Sequence, residues 1–364
     1  MSRALRILLV ANDGLSAGHV TRTLAIARAL RERGPARSVP VQLVLATTSE
    51  ADALLAQEPI ALVRMPAPVA GRRAGLSDSE RRRLVRGCIE SVATSFGPDV
   101  IVVDTFPSGP HGELTGLVAG RASAPGEVRA KMVLVRRDVP ADRAAAEELA
   151  AGLAAYDLAL LAADPTPLAE PPVLPNGRCV HVPPIVRGGL LARDEARAAL
   201  GIAADAHAVL VTAGGGGDAD ALARADRIAA SIAALSPSSA VVHARGPLAG
   251  VSLPQSFPGT LGGVMAAFDG AFAAAGYNTA HELARAGVPA ALFASPRSFD
   301  DQRERARRFE RAGLAFELES DDDDAIAHAL GRIARASRPA LVADGAGAAA
   351  HAILDLVAAP ERLA

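Results

Sequence analysis

The chain has no tryptophan, two tyrosines and nine phenylalanines in 364 residues, so rings contribute little to its interior. Half of the residues are nevertheless apolar, which leaves Ala, Leu and Val to build the core of a globular α/β protein. Disorder needs low hydrophobicity and high net charge, and neither holds here. Cysteine is equally scarce. Cys88 and Cys179 make no framework and no CxxC pair, which fits a reducing compartment. Lys131 is the only lysine, so a phosphate-gripping P-loop lysine is excluded elsewhere, and no GxxxxGK[ST] occurs. Neither sign of charge dominates: 38 basic and 40 acidic residues give a net charge of -2, with no electrostatic case for nucleic acid or an acidic membrane.

Long apolar runs are missing too; none approaches the ~18 residues of a membrane span. The opening MSRALRILLVAND meets Asn12 and Asp13 too early for a signal peptide and reads as a buried first strand. The expectation is a soluble, cytoplasmic protein. Without HExxH or other metal spacing around His111, His243 and His281, zinc chemistry is unsupported. Without GxSxG, so is a hydrolase nucleophile elbow. The acidic run Asp321 to Asp324 directly precedes a helical pattern and reads as a solvated N-cap cluster, not a metal-holding DxD.

Length favours two domains of about 150 to 200 residues. Apolar runs at 6–11, 41–48, 99–104, 132–136 and 158–162 predict strands. Helical patterns lie between them, near 50–57, 78–95, 112–121 and 141–154. Val20, Leu24, Ala27 and Leu30 form one stripe of the first helix, which Gly34 is expected to stop. After the linker-like HVPPIVRGG (181–189) the alternation restarts, with strands at 208–212, 240–244, 270–274 and 290–294 and a last helix at 346–358. Strand–helix alternation predicts parallel sheets covered on both faces, with ligands at the carboxyl ends of the strands.

Those ends carry the candidate chemistry. ANDGLSAGH delivers His19 to a helix N-terminus, where the dipole favours the neutral ring. His19 is either a helix-start residue or a base, and this stretch alone leaves both open. Asp13 is either its orienting partner, a base itself, or a turn residue bonding its own backbone. Asp104 ends a strand at the same edge and either touches an acceptor, orients His19 or serves the core. Arg136 and Arg137 either hold an anion across a cleft or pair locally with Asp138. TAGGGGD (212–218) can surround a phosphate with backbone N–H groups, although a glycine run also suits a plain turn. In AGYNTAHELARAGVPAALFASP (275–296), Asn278 or Thr279 starts a helix, and Glu282 is placed to accept hydrogen bonds from a vicinal diol such as ribose. A solvated first-turn carboxylate is the plainer alternative.

Taken in order, GHVTRTLAIARAL, PDVIVVDTFPSG, VRRDVP, TAGGGG and residues 275–313 resemble the GT-B glycosyltransferases, specifically the MurG-like glycosyltransferase family 28 and its bacterial relatives. The resemblance implies two Rossmann-like domains with parallel sheets facing across a cleft. Residues 1–183 would bind the acceptor, 184–345 the nucleotide-sugar donor, and a helix within 346–364 would return to the first domain. It implies a hexosyltransferase-type enzyme in which His19 is either the general base or a donor-phosphate contact, with Asp13 and Asp104 as the other catalytic candidates. Donor contacts would come from Gly18, Thr212, Gly214, Gly215, Gly216, Gly217, Arg245, Gly276, Tyr277, Asn278, Thr279, Glu282, Asp301 and Gln302. No metal and no cofactor are implied beyond a UDP- or TDP-sugar donor, and the acceptor would be a small molecule or lipid-linked. The segment before His19 departs from the family's run of glycines, which argues against the lipid-linked peptidoglycan acceptor. Two rivals share the scaffold: a nucleotide-sugar epimerase or hydrolase, and a non-catalytic nucleotide-binding homologue.

Overall fold

A computed structural model describes residues 3–12, 17–56, 58–122, 130–139, 152–162, 164–165, 173–175, 177–187, 189–248, 260–296, 300–337 and 345–358. The first sheet holds β1 (Leu5–Ala11), β2 (Val41–Thr47), β3 (Ala61–Arg64), β4 (Val100–Asp104), β5 (Lys131–Arg136), β6 (Leu158–Leu161) and β7 (Arg178–His181). Its helices are α1 (Gly18–Ala36), α2 (Asp52–Leu55), α3 (Pro68–Arg73), α4 (Asp78–Phe96) and α5 (Thr115–Ala122). The second sheet holds β8 (Ala208–Thr212), β9 (Ala240–Ala244), β10 (Gly270–Ala274), β11 (Ala290–Phe293) and β12 (Phe316–Glu317). With it go α6 (Arg193–Leu200), α7 (Ala219–Leu235), α8 (Leu261–Val264), α9 (Tyr277–Ala286), α10 (Gln302–Arg311) and α11 (Asp323–Arg335), and α12 (Gly345–Ala358) closes the described chain.

Both sheets are wholly parallel, in the orders β3-β2-β1-β4-β5-β6-β7 and β12-β11-β10-β8-β9. The unbroken apolar strands follow from cover on both faces. Leu5, Ile7 and Leu9 of β1 pack with Val20, Leu24 and Ile353, and so with α1 and α12, whereas Leu8 and Val10 face Val85 and Ile89 of α4. The second sheet repeats the pattern, with Ala208 and Leu210 on one side and Val209 and Val211 on the other.

Several elements differ from the sequence reading. Gly34 does not stop α1, which runs to Ala36; a Cβ at Gly34 would lie 2.7 Å from the Val39 carbonyl, so glycine there admits the returning chain. Strands β3, β7 and β12 are sheet edges of two to four residues and are too short to show a long apolar run, whereas the fourth edge, β9, keeps one in AVVHA. Of the helix expected over 141–154, residues 141–151 lie outside the described residues, and Leu153–Ala155 form a single 3₁₀ turn. Asp322 caps α11 by accepting from the Ala325 N–H. No described helix is long and apolar enough to cross a membrane.

A buried polar seam joins the two sheets. Asp164, just past β6, accepts from His281 Nε2 (2.8 Å), Arg305 Nε (2.8 Å) and Arg308 Nη2 (2.9 Å) of the second domain. Arg308 also reaches Asp138 (2.8 Å), and Asp300 accepts from Arg137 across the seam and from Arg305 beside it. Arg137 thus bonds to the opposite domain as well as to the Asp138 carbonyl. The Tyr277 hydroxyl donates to the Ala162 carbonyl (2.9 Å) and accepts from the Ile185 N–H.

Burial pushes the His281 value below the ordinary 6.5; Asp164 opposes this, and Arg305 and Arg308 reinforce it. The folded ring is therefore neutral and donates through Nε2. An unfolded chain takes up a proton near pH 6.5 that the folded ring refuses, so stability is full above that pH and falls below it. Burial raises the Asp164 carboxyl, but Arg305, His281 and Arg308 outweigh it and hold it well below the ordinary 3.8, so its contribution is lost only in stronger acid. Thermal unfolding followed from pH 8 to 5 should show a level midpoint down to about 6.5 and then a decline. His281→Gln keeps a donor for Asp164 and should flatten that decline; an unchanged slope would assign it to other groups.

Candidate active site

Each sheet order contains one reversal, between β1 and β4 in the first and between β8 and β10 in the second. Connections leave such a point toward opposite faces, opening a crevice at the strands' carboxyl ends. The β1 chain feeds α1 and the β4 chain ends at Asp104, so His19 and Asp104 meet at the first crevice. His19 Nδ1 lies 2.5 Å from Asp104 Oδ2, with the Phe106 ring 5.8 Å away. Burial raises the Asp104 carboxyl, but the charge of Arg22 and the hydrogen bond and charge of His19 hold it well below the usual carboxylate range. An ionised Asp104 fixes the tautomer: Nδ1–H donates to it, and the basic lone pair is on Nε2. Asp13 lies outside the described residues.

Arg22 completes this group. Its Nε donates to Asp104 Oδ1 (3.1 Å), and its Nη2 to Asp104 Oδ2 (2.6 Å) and to Thr105 Oγ1 (3.1 Å). Sequence reading missed Arg22, although its i+3 spacing from His19 places both on one helix face.

The second crevice gathers the glycine loop, the end of β9 and the start of α9. Gly214 has φ +76° and donates its N–H to Thr212 Oγ1 (3.1 Å). A Cβ on Gly214 would stand 3.2 Å from Thr279 Oγ1, which sets the loop against the first turn of α9. Gly246 closes on the loop so tightly that a Cβ would come within 2.1 Å of the Gly214 carbonyl, and Gly215 accepts from the Leu248 N–H. Gly216 and Gly217 complete the loop before Asp218 caps α7. At the start of α9 the N-cap is Gly276, which offers no side chain, and Asn278 and Thr279, the expected helix-start residues, lie inside the first turn. Elsewhere Ser77, Asp218, Asp301 and Asp322 cap α4, α7, α10 and α11 with their side chains. The positive end of α9 is thus left to backbone amides, the arrangement that receives a phosphate.

Asn278 ties the crevices together: its Nδ2 donates to the Gly18 carbonyl (3.1 Å). Glu282, one turn further along α9, is partly buried beside Gly262, where a Cβ would lie 2.9 Å from the carboxylate. Burial pushes its carboxyl up, against the pull of Arg187 and Arg285 and a hydrogen bond from the Arg187 backbone.

Other donor-side candidates have structural partners. Tyr277 commits its hydroxyl to the seam. Asp301 caps α10 by accepting from the Glu304 N–H (2.9 Å), and buried Gln302 accepts from the Ser295 N–H (3.0 Å) at the end of β11. Arg245 is exposed and reaches Asp226 at 3.4 Å. Among the described residues, no three His, Cys, Asp or Glu side chains are grouped to hold a metal ion.

No family model and no curated protein matches this chain. Solved structures do. The chain is similar to the spinosyn rhamnosyltransferase SpnG complexed with thymidine diphosphate, at 20% identity and a TM-score of 0.61, covering 97% of this chain and 96% of that one. The spinosyn forosaminyltransferase SpnP gives 15% identity and 0.60 over 97% and 94%. The glycosyltransferase SnogD from Streptomyces nogalater gives 17% and 0.57 over 97% and 100%. Such identities establish architecture. The chain has two Rossmann-like domains with parallel sheets, the GT-B fold.

Proposed function

We propose that this protein is a glycosyltransferase that moves a sugar from a nucleoside-diphosphate donor to a hydroxyl or amine of an acceptor. The observation that carries the reading is the His19–Asp104 pair, abutting through Gly18 and Asn278 the uncapped start of α9 and its glycine loop. The first domain then holds the acceptor and the second the donor. Asp104 keeps His19 in the tautomer whose Nε2 takes the acceptor proton as the acceptor oxygen or nitrogen attacks the anomeric carbon. The bond from that carbon to the diphosphate oxygen breaks, and the leaving group's negative charge develops against the α9 amides and the glycine loop. Displacement in one step inverts the anomeric centre. Glu282 is suited to accept from the two ribose hydroxyls of the donor.

Full-length likeness to SpnG and to SsfS6, both solved with thymidine diphosphate, supports a TDP-sugar ahead of a UDP-sugar. SpnG complexed with spinosyn aglycone supports a small aglycone as acceptor class, ahead of a lipid-linked one. The order of motifs from residue 18 to 313 supports the finer kinship with the MurG-like family 28. A cytoplasmic site of action agrees with Cys88 and Cys179 remaining thiols.

Three measurements test the reading. His19→Ala should lower turnover by roughly 10²-fold or more with nucleotide affinity retained, and wild-type turnover would remove the base assignment. Glu282→Ala should weaken binding of the nucleoside diphosphate by roughly tenfold or more, by calorimetry, with the fold intact; unchanged affinity would end the ribose role. Activity should survive EDTA, since backbone amides and a helix terminus receive the leaving charge. A strict divalent-cation requirement would overturn that account.

A further inference from the structure

We infer that Arg22 is a positioning residue of the transfer reaction, one that clamps Asp104 against His19 and tempers the basicity of the ring. The inference rests on His19 being the base. Its main observations, the contacts of Arg22 with Asp104, Thr105 and His19, lie on the first-domain side. Arg22 is buried, and its fork spans both oxygens of Asp104. Asp104 Oδ2 accepts from His19, Arg22 and the Thr105 hydroxyl (3.1 Å) together. Arg22 Nη2 stands only 3.5 Å from His19 Nδ1, and Nη1 reaches Asn278 Oδ1 of α9 at 3.5 Å.

The backbone beneath is strained in keeping with this. Thr105 has φ +67°, a left-handed conformation that a β-branched residue rarely adopts. It is held there because its N–H donates to the Val135 carbonyl (2.7 Å) and its hydroxyl bridges Arg22 to Asp104. A carboxylate facing only a histidine would stabilise the imidazolium and hold the proton on the ring. Here the guanidinium shares that carboxylate and stands close enough to repel a protonated ring. The other described charged groups around it are buried Arg136, which donates to the Thr105 carbonyl (3.4 Å), Arg137 after β5, which feels both Arg22 and Asp104, and Asp300 and Arg305 at the start of α10. Asp300 pairs with both Arg137 and Arg305, so their charges are largely committed to the seam.

Arg22→Met removes the charge, and Arg22→Lys keeps it while losing the fork. With Arg22→Met, the acidic limb of the kcat/KM profile should move up by about one pH unit or more, a deficit of about tenfold near the limb that narrows at high pH. Arg22→Lys should leave the limb near its wild-type position with a lower plateau. A purely structural role would lower the plateau of both and leave both limbs in place, which would overturn the inference. Arg22→Gln reads the same displacement should the Met variant not fold. Ring titration of His19 by NMR in the unliganded protein, assigned by its loss in His19→Gln, gives a readout that needs no turnover. A midpoint displaced upward without any sugar transfer would keep the effect of Arg22 on the His19 ring and remove the transferase reading. A fixed midpoint with transfer intact would do the reverse.

Discussion

Everything at the cleft depends on one buried carboxylate. Asp164 has no exposed side-chain surface, and the described partners that satisfy it, His281, Arg305 and Arg308, all come from the opposite domain. Removing one partner from such a group costs about 3–5 kcal/mol, far more than the intact pair contributes, because an unpaired charge is left in a low dielectric. The domains therefore cannot slide apart at this point without a large penalty. Asp138 and Asp300 extend the constraint, so four carboxylates, with Asp104, face the four guanidiniums of Arg22, Arg137, Arg305 and Arg308. These eight charges oppose one another in pairs within the buried region, which fixes the orientation of the groups that carry them.

That fixed orientation gives the two reversal points their chemistry. Alone, each is a generic crevice of a parallel sheet. Brought face to face, one supplies an oriented imidazole and the other an uncapped helix start, with Asn278 bonded to the carbonyl at the start of α1. In the proposed transfer, His19 would act on the attacking acceptor and α9 on the leaving group, on opposite sides of the anomeric carbon, so their separation matters as much as their identity.

The sequence made some of this legible and not the rest, for physical reasons. Central strands such as β1, β4, β8 and β10 declare themselves because burial on both faces demands apolar residues at every position. The edges β3 and β7 are largely exposed, and β12 is two residues long, so none of the three carries such a run. His19, the glycine loop and Glu282 stand out because turns and helix starts leave local marks. Asp104 was visible as a strand end with three open roles, and only the fold sets it against His19. Asp164 follows an apolar strand as many loop residues do, and its partners lie 117 to 144 positions away. Arg305 and Arg308 sit in the strongly charged run QRERARRFER, yet they are buried because a carboxylate from the other domain meets them.

Helix α9 shows why these roles belong together. Tyr277 and His281, four residues apart, share the face turned to the seam, where their rings lie 4.5 Å apart. Asn278 and Glu282, also four apart, share the face that carries the contact to α1 and the partly buried carboxylate by Gly262. One ten-residue helix thus docks the domains with one stripe and meets the cleft with the next. A rotation that improved either stripe would misplace the other. The scarcity of rings sharpens this, since one of only two tyrosines in the chain is spent at the first residue of this helix. Its hydroxyl bonds to the backbone at Ala162, just past β6, and at Ile185, within the linker-like segment, so the position of α9 is tied to the chain that joins the domains as well as to charge.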